Sequence, residues 1–412
     1  MTRAPLSSES APSRRPPVTR HYLDHASTSP PRPDVVRSMV QWLVSADGSG
    51  ATPGAEGGPV VAADPGRVHT EGRMARAVVE DARDAVAALL GTRPRQVVFT
   101  SGGTEAANAA TWGATQARPG RPVLLAGVEH SCVREASERL APVVDLGVDH
   151  VGRIDSSSVE QAIQDCSATG GAPALVHCQA ANHETGTVQS VREVVEVGHR
   201  HGVVVHVDAC ALVGHLPLAF DDLGADLLSV SAHKFGGPPG IGALIVRRGL
   251  RLDPLLVGGE QERARRAGLE NVPAVIGFGA AAGALTASGV LEAEMAAARR
   301  RTERLLGAAT AVDGVHVVGD PDGRVPHIVC VTIDGVEAEP VLLGLDQAGI
   351  AAHSGSSCSS ESLSPSPVLE AMGVDAEHSL RLSVGWSTTD DDIDAFVQVF
   401  GSVISGLRDL RA

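Results

Sequence analysis

Residues 231–242 have the sequence SAHKFGGPPGIG, and they decide the fold and the chemistry that the chain predicts. The stretch contains Lys234, the single lysine among the 34 lysine and arginine residues. Arginine can replace lysine at most surface positions, but a guanidinium group stays protonated and cannot attack a carbonyl as a free amine can. We therefore expect Lys234 to have a chemical task, the alternative being a lysine that persists by chance.

Short apolar segments surround this stretch and alternate with helical patterns such as VREVVEVGHRHG at 191–202. Because the segments are apolar almost throughout, they are typical of strands buried on both faces of a mostly parallel sheet. The sequence therefore predicts an α/β fold with helices on both faces of the sheet. The predicted strands are QVVFT (96–100), PVLLA (122–126), ALVHCQA (174–180), VVVHVDA (203–209), LLSVSA (227–232) and ALIVRR (243–248).

Changes in composition divide the chain into three predicted parts. Residues 1–20 are rich in Pro, Ser and Arg and lack the apolar core of a signal peptide, so we expect a disordered tail. Residues 21–285 form the large domain, with a Gly/Ala/Pro-rich, flexible insertion at 45–66. A long helical pattern at 291–309 marks the boundary, and residues 286–412 are predicted to form a smaller α+β domain.

Composition excludes several classes of protein. A hydrophobic content of 43% excludes a disordered chain, and no apolar stretch approaches the roughly 18–20 uncharged residues of a membrane span. The net charge of −15 argues against nucleic acid as a partner, because a phosphate backbone attracts a basic surface. The six cysteines form no Cys-x-x-Cys pair and have no zinc-site spacing with histidine, so we predict no metal and a reducing, cytoplasmic location.

Small and polar residues follow the predicted strands, at the sheet edge where parallel strands bind ligands. After QVVFT, the residues SGGTEAAN begin a helix around Gly103 and Thr104. Free backbone amides and the helix dipole make such a turn an anion site suited to phosphate, although an ordinary helix cap has the same sequence. Ser231, near the end of LLSVSA, and His233, directly after it, lie within three residues of the single lysine.

Together with Asp208 at the end of VVVHVDA, these residues are the parts of a pyridoxal phosphate (PLP) site. Such a site needs a lysine for the Schiff base, an aspartate for the pyridinium nitrogen and a small turn for the phosphate. A carboxylate at a strand end is costly unless partnered, and a protonated ring nitrogen would partner it. His130, after PVLLA, could stack on the ring, the alternative being a buried histidine with ordinary hydrogen bonds.

Residues 353–362, HSGSSCSSES, set Cys358 among serines and one glycine. Such a small and polar segment cannot pack a core, so it is either a surface loop or an arm that presents sulfur.

With these motifs the chain resembles a cysteine desulfurase of the class V aminotransferase family, which has the fold-type I fold of PLP-dependent enzymes. The resemblance covers residues 22–394, nearly the whole chain after the tail. Several motifs are weak singly, but the set is highly specific in this order. The set is YLDHASTSP, FTSGGTEAAN, VEHS, ANHETGTVQ, HVDAC, SAHKFGGPPGIG, RRAGLENVPAVIG, SGSSCSSESLSPSPVL and SLRLSVGWSTTDDDID.

The resemblance implies a role for each matching residue. Lys234 would form the Schiff base and shuttle protons, while His130 would stack on the ring. Cys358 would attack the sulfur of the substrate L-cysteine, so that alanine leaves and a persulfide stays on the enzyme; the resemblance thus favours the mobile arm. Asn182 and Arg381 would bind the substrate, with the guanidinium on its carboxylate. The residues implied for cofactor binding are Gly103, Thr104, Asn182, His183, Asp208, Ser231, His233 and Lys234.

Three positions depart from the family pattern. Ala211 replaces a glutamine that contacts the phenolic oxygen of the cofactor, and His183 replaces a second asparagine. Leu269 replaces a hydroxyl residue that reaches the phosphate of the neighbouring subunit. Our hypothesis is that His183 supplies the contact missing at Ala211.

Other functions stay open at this point. Ala211 and His183 favour a PLP-dependent lyase or transaminase acting on another amino acid, whereas the Cys358 segment and Arg381 oppose it. A third alternative is a weakly active homologue that binds a sulfur-acceptor partner, against which the single lysine argues. The resemblance also implies a homodimer and a sulfur-acceptor protein, whose identity the sequence does not give. Iron–sulfur clusters, tRNA or DNA thiolation and a biosynthetic pathway are all possible destinations of the sulfur.

Overall fold

The computed structural model of the chain describes residues 19–45, 63–354 and 365–410. The predicted tail lies outside these ranges except for its last two residues, and most of the predicted insertion at 45–66 lies outside as well. Cys358 and most of its polar segment also lie outside the described residues.

Twelve strands form three sheets in the described part of the chain. They are β1 (His21–Tyr22), β2 (Val97–Thr100), β3 (Val123–Ala126), β4 (Val143–Leu146), β5 (Leu175–Gln179), β6 (Val204–Asp208), β7 (Leu227–Ser231), β8 (Gly242–Val246), β9 (Val315–Val318), β10 (Ile328–Ile333), β11 (Ile350–Ala351) and β12 (Ser379–Ser383).

Thirteen helical segments accompany them among the same residues. They are α1 (Pro33–Ser45), α2 (Thr70–Leu89), α3 (Gly103–Ala117), α4 (Ser131–Leu140), α5 (Ser156–Thr169), α6 (Val191–Arg200), α7 (Phe220–Leu223), α8 (Gln261–Ala264), α9 (Val272–Thr286), α10 (Val290–Thr310), α11 (Ala338–Gln347), α12 (Pro367–Ala371) and α13 (Asp390–Asp409). Short 3₁₀ turns cover Pro94–Gln96, Ala232–Phe235 and Ala376–His378.

The central sheet has seven strands in the order β2-β8-β7-β6-β5-β3-β4. The pairs from β7 through β6, β5 and β3 to β4 are parallel, and β8 runs antiparallel to both of its neighbours. Every residue of β3, β5 and β7 is buried, as the continuous apolar segments predict. The predicted α/β fold with a mostly parallel sheet is confirmed.

Alternate side chains of the sheet pack against helices on its two faces. Ala106 and Ala110 of α3 pack with Leu227 and Leu244 on one face. On the other face, Val205 belongs to the large cluster that also contains residues of α2, α6 and α9. Since both faces are covered, the strands need to be apolar on both sides.

A second core lies in the smaller α+β part, where β9, β10 and β12 form an antiparallel sheet. Leu305 of α10 and Phe396 of α13 pack against it. Leu23, near the N-terminus, belongs to the same core, because β1 pairs with β11. The predicted boundary near residue 285 stays a prediction.

Helix α9 is apolar on all sides and packs against α1 and α2. Within the described ranges, no single helix is long and apolar enough to cross a membrane, and α9 passes that test only together with α10, as a pair bent by 81°.

Candidate active site

A cavity of about 180 Å³ opens at the carboxyl ends of β5, β6 and β7, beside the first turn of α3. Parallel strands end at one edge of the sheet, so the loops that follow them meet there. Eight of the residues predicted for the site line this cavity. They are Gly103, Thr104, His130, His183, Asp208, Ser231, His233 and Lys234.

One side of the cavity, here called the β7 wall, consists of Ser231, His233 and Lys234 on the strand end and the 3₁₀ turn after it. The Lys234 Nζ donates hydrogen bonds to the carbonyl oxygens of Ala26 at 2.6 Å and Ser27 at 3.2 Å. Burial lowers the pKa of the Lys234 amine below its ordinary value, and the nearby Arg381 charge lowers it further. The amine is therefore closer to its reactive neutral form than a surface lysine would be.

His233 is held by the N-terminal segment on the same wall, because its Nδ1 lies 3.1 Å from the Thr28 Oγ1. Burial lowers the pKa of His233 to about 4, and the neighbouring Lys234 charge acts in the same direction. His233 is consequently neutral at pH 7 and offers hydrogen bonds without a charge.

The first turn of α3 forms an anion cradle beside this wall. A Cβ built on Gly103 would lie 2.6 Å from the Cys210 Sγ, so no larger residue fits without displacement. The same Cβ would lie 3.5 Å from the Ser231 Cβ, which places the cradle next to β7. The free backbone amides at the start of a 15-residue helix attract negative charge here.

Asp208 ends β6 in the middle of the cavity, and its Oδ1 accepts a hydrogen bond from the Cys210 backbone amide at 3.0 Å. Cys210 and Cys132 also line the cavity, and sequence reasoning missed both. Burial raises the pKa of the Cys210 thiol well above its usual value, and the Asp208 charge raises it further. Cys210 is therefore a neutral thiol and a poor nucleophile.

The opposite side, here called the β5 wall, consists of Gln179, Ala181 and His183. These are every second residue of the chain, as expected where backbone continues in extended form beyond a strand. His183 lies edge-on to the His130 ring, with centroids 4.9 Å apart. His130 itself caps α4, and its Nδ1 accepts a hydrogen bond from the Cys132 backbone amide at 3.1 Å.

Asn182 does not line the cavity, although the sequence predicts that it contacts cofactor and substrate. Its Oδ1 accepts hydrogen bonds from the backbone amides of Glu184 at 2.9 Å and Thr185 at 2.8 Å. Its Nδ2 donates to the Val128 carbonyl oxygen at 3.2 Å and the Gln179 Oε1 at 3.4 Å. In this structure Asn182 shapes the loop behind the β5 wall, and its predicted role stays a prediction.

Arg381 lies on β12 outside the cavity lining and is 1% exposed. Its Nη2 donates to the Asp24 Oδ1 at 3.0 Å and the Ser27 Oγ at 2.7 Å, and its Nη1 donates to the His183 carbonyl oxygen at 2.9 Å. Since Ser27 also accepts from Lys234, Arg381 ties the two walls together through the N-terminal segment.

The three departures from the family pattern lie in different surroundings. Ala211 lines the cavity, where its methyl group offers no hydrogen bond. Burial lowers the pKa of His183, against the opposing effect of the Glu184 carboxylate, which lies 3.6 Å from the His183 Nε2. Leu269 is 63% exposed and lies outside this cavity.

The chain belongs to the class V aminotransferase family, whose model matches residues 21–396. Among curated relatives, it is 36% identical to cysteine desulfurase IscS 1 of Archaeoglobus fulgidus, with 94% of this chain and 98% of the relative covered. Among solved structures, it is similar to a NifS-like protein with a TM-score of 0.82 and 27% identity, covering 94% of this chain and 100% of the other. A structure described as SspA in complex with cysteine matches with a TM-score of 0.74 and 27% identity, covering 88% and 98%.

Proposed function

We propose that this protein is a PLP-dependent cysteine desulfurase, which converts L-cysteine to L-alanine and leaves a persulfide on Cys358. The observation that carries the proposal is the meeting of Lys234, Asp208 and the Gly103 turn in one cavity. Its support from outside the structure is the 36% identity to an archaeal cysteine desulfurase over 94% of the chain.

The cavity fits PLP by the chemistry of its lining. The glycine cradle offers backbone amides to a phosphate, and Asp208 offers a carboxylate to a ring nitrogen. The amide nitrogen of Gln179 is buried and has no hydrogen-bond partner among the described residues, as expected where a bound molecule supplies one. When bound, PLP supplies an electron sink that labilises bonds to the substrate α-carbon and, through it, the bond to sulfur.

The β7 wall would perform the proton chemistry. Because its pKa is lowered, the Lys234 amine can act as a base at the α-carbon of the substrate and return the proton later. Asp208 would accept the hydrogen bond of the protonated pyridine nitrogen and so hold that proton in place. Thr104, Ser231 and His233 would bind the phosphate as neutral donors.

The His130 ring would cover one face of the cofactor and exclude water from it, and Arg381 would bind the substrate carboxylate. The Arg381 Nε is buried without a hydrogen-bond partner within the described ranges, so the guanidinium has a free donor. Asn182, behind the β5 wall, would act on the substrate through the position of the loop.

Cys358 would perform the sulfur transfer. Its thiolate attacks the substrate sulfur, and the carbon–sulfur bond breaks with its electron pair moving toward the carbon. That carbon takes up a proton and leaves as alanine, while the sulfur stays on Cys358 as a persulfide. The buried, neutral Cys210 does not compete for this role.

A homodimer, a cytoplasmic location and a sulfur-acceptor protein complete the proposal. Exposed apolar residues are consistent with an interface between two copies. They include Val36, Val40, Leu43 and Val44 on α1, and Leu256, Val257 and Leu269 in the loops before α9. The five cysteines in the described ranges are free thiols, in keeping with a reducing compartment.

The test is the formation of alanine and sulfide from L-cysteine, with a thiol reductant and added PLP. We expect Cys358→Ala to lower the rate by roughly a hundredfold or more, because the sulfur has no acceptor. Cys166→Ala, at a free thiol on α5, is the matched control and should keep the wild-type rate. Equal rates in wild type and Cys358→Ala would contradict the proposal and favour a lyase on the same scaffold.

A further inference from the structure

Gln179 is a buried amide in the cavity that none of the roles above uses. It ends β5 and is 2% exposed. In the sheet it pairs with Asp208, so its side chain leaves the same face at the same level as the carboxylate. A polar side chain buried at this point is costly unless it has a hydrogen-bond partner.

The hydrogen bonds around Asn182 fix the orientation of the Gln179 amide. The Asn182 Oδ1 accepts from two backbone amides, so its Nδ2 is the atom that faces Gln179. A donor requires an acceptor opposite it, and the Gln179 Oε1 therefore lies there, at 3.4 Å. The Gln179 Nε2 is the remaining atom, and it has no partner in the part of the chain that the structure describes.

The order of strands places this donor across the cavity from the anion cradle. Asp208 lies on β6, with β7 on one side and β5 on the other. The cradle at Gly103 adjoins Ser231, which is on the β7 side. Gln179 lies on the β5 side, and the cradle and the Gln179 amide are thus separated by the strand that carries Asp208.

The positions of the substituents on the PLP ring indicate which of its groups would lie next to the Gln179 amide. The carbon that binds the lysine lies across the ring from the nitrogen. The carbon that bears the phosphate arm and the carbon that bears the phenolic oxygen lie on opposite sides of that axis. With Asp208 at the nitrogen, Lys234 at the far carbon and the phosphate on the β7 side, the phenolic oxygen would face β5.

We propose that the Gln179 Nε2 donates a hydrogen bond to the phenolic oxygen of PLP, the contact for which Ala211 has no group. The inference rests on the proposed function, because it requires the cofactor. His183 is the other polar residue of the β5 wall, but its ring contacts His130, the stacking residue, and its Nε2 faces the Glu184 carboxylate. Gln179, level with Asp208, is the better placed of the two.

The test is a pH titration of the visible absorption band of PLP bound to purified wild type, Gln179→Met and His183→Ala. A donor stabilises the negatively charged oxygen, so its loss raises the pH at which the chromophore gives up its proton. We expect Gln179→Met to raise that midpoint by about one unit, a tenfold change in proton affinity, and to release PLP several-fold faster. His183→Ala removes the other polar side chain of the β5 wall and should move the midpoint less than Gln179→Met does. Cys166→Ala, at a free thiol on α5, is the control and should keep the wild-type midpoint.

A second variant separates the loss of the hydrogen-bond donor from any change in side-chain packing at position 179. Gln179→Ala also lacks the donor but leaves space, and it should show the same raised midpoint. A wild-type midpoint in Gln179→Met, or a shift in His183→Ala alone, would overturn the inference and leave the proposed function intact. A wild-type protein that develops no visible band with PLP would overturn both.

Discussion

The two walls of the cavity differ in how their residues are supported. On the β7 wall, His233 and Lys234 are adjacent in sequence, and both are held by hydrogen bonds from residues 26–28. On the β5 wall, the polar side chains are separated by Ala181, and the Gln179 donor is unpaired among the described residues. The residues proposed for the chemistry are thus held by a short segment, while the opposite wall contains a buried donor that has no partner within the described ranges.

In the proposed site, the residue for the Schiff base and proton transfer, Lys234, thus has rigid local support, whereas the contact proposed for the phenolic oxygen comes from a different strand than Ala211. The contact proposed from Gln179 would replace an amide missing at Ala211, since both positions border the same cavity.

Arg381 connects the two walls, and its replacement should have the largest effect of the changes that test this comparison. We expect Arg381→Lys to raise the KM for L-cysteine roughly tenfold to a hundredfold, because a charge-assisted hydrogen bond contributes about 1.5–3 kcal/mol and a lysine cannot bind in the bidentate manner. Steady-state kinetics with saturating PLP measures it.

The matched control is Arg408→Lys, an arginine on α13 that donates to the Asp334 carbonyl oxygen near the surface. It should keep the wild-type KM. An Arg381→Lys enzyme with wild-type KM would show that the guanidinium does not bind the substrate and that its role is confined to joining the walls.

A smaller effect is expected on the pH dependence of folding stability, to which His233 contributes. The pKa of His233 is about 4 in the folded state, below its ordinary value, so the unfolded chain binds more protons between pH 4 and 6.5. Stability therefore rises with pH in this window and is lost as pH falls from 6.5 toward 4.

Removal of His233 should reduce this slope. We expect the unfolding free energy of apo His233→Gln to fall less steeply than that of wild type, by up to about 1.4 kcal/mol per pH unit for the one proton removed. Thr310→Ser, at an exposed residue of α10, changes no titratable group; it is the control and should keep the wild-type slope. Denaturant unfolding at several pH values measures the slope. Identical slopes in wild type and His233→Gln would contradict the lowered pKa of His233.

The sequence predicts where the β7-wall residues lie because these residues are adjacent in the chain. The strand LLSVSA and the residues after it are adjacent in the chain, so the position of Lys234 at the sheet edge follows from the strand alone. The α/β fold follows in the same way, since buried parallel strands need continuous apolar segments.

The β5 wall was less predictable because it depends on which alternate residues face the cavity. One step along an extended chain moves a side chain to the other face, which separates Asn182 from Gln179 and His183. The pairing of Gln179 with Asp208 could have indicated its importance, but that register is known only from the folded sheet. The packing of Leu23 in the second core depends likewise on a pairing between β1 and β11, which are far apart in sequence.

Borohydride reduction of the PLP-loaded protein, followed by peptide mass spectrometry, tests whether Lys234 holds the cofactor. Reduction fixes PLP covalently to the amine that holds it. Because Lys234 is the only lysine, the N-terminal amine is the sole alternative among unmodified amines of the chain. We expect one reduced pyridoxyl group per chain, on the peptide containing Lys234, and none in Lys234→Arg. Absence of the label in wild type, or its presence at the N-terminus alone, would contradict this expectation.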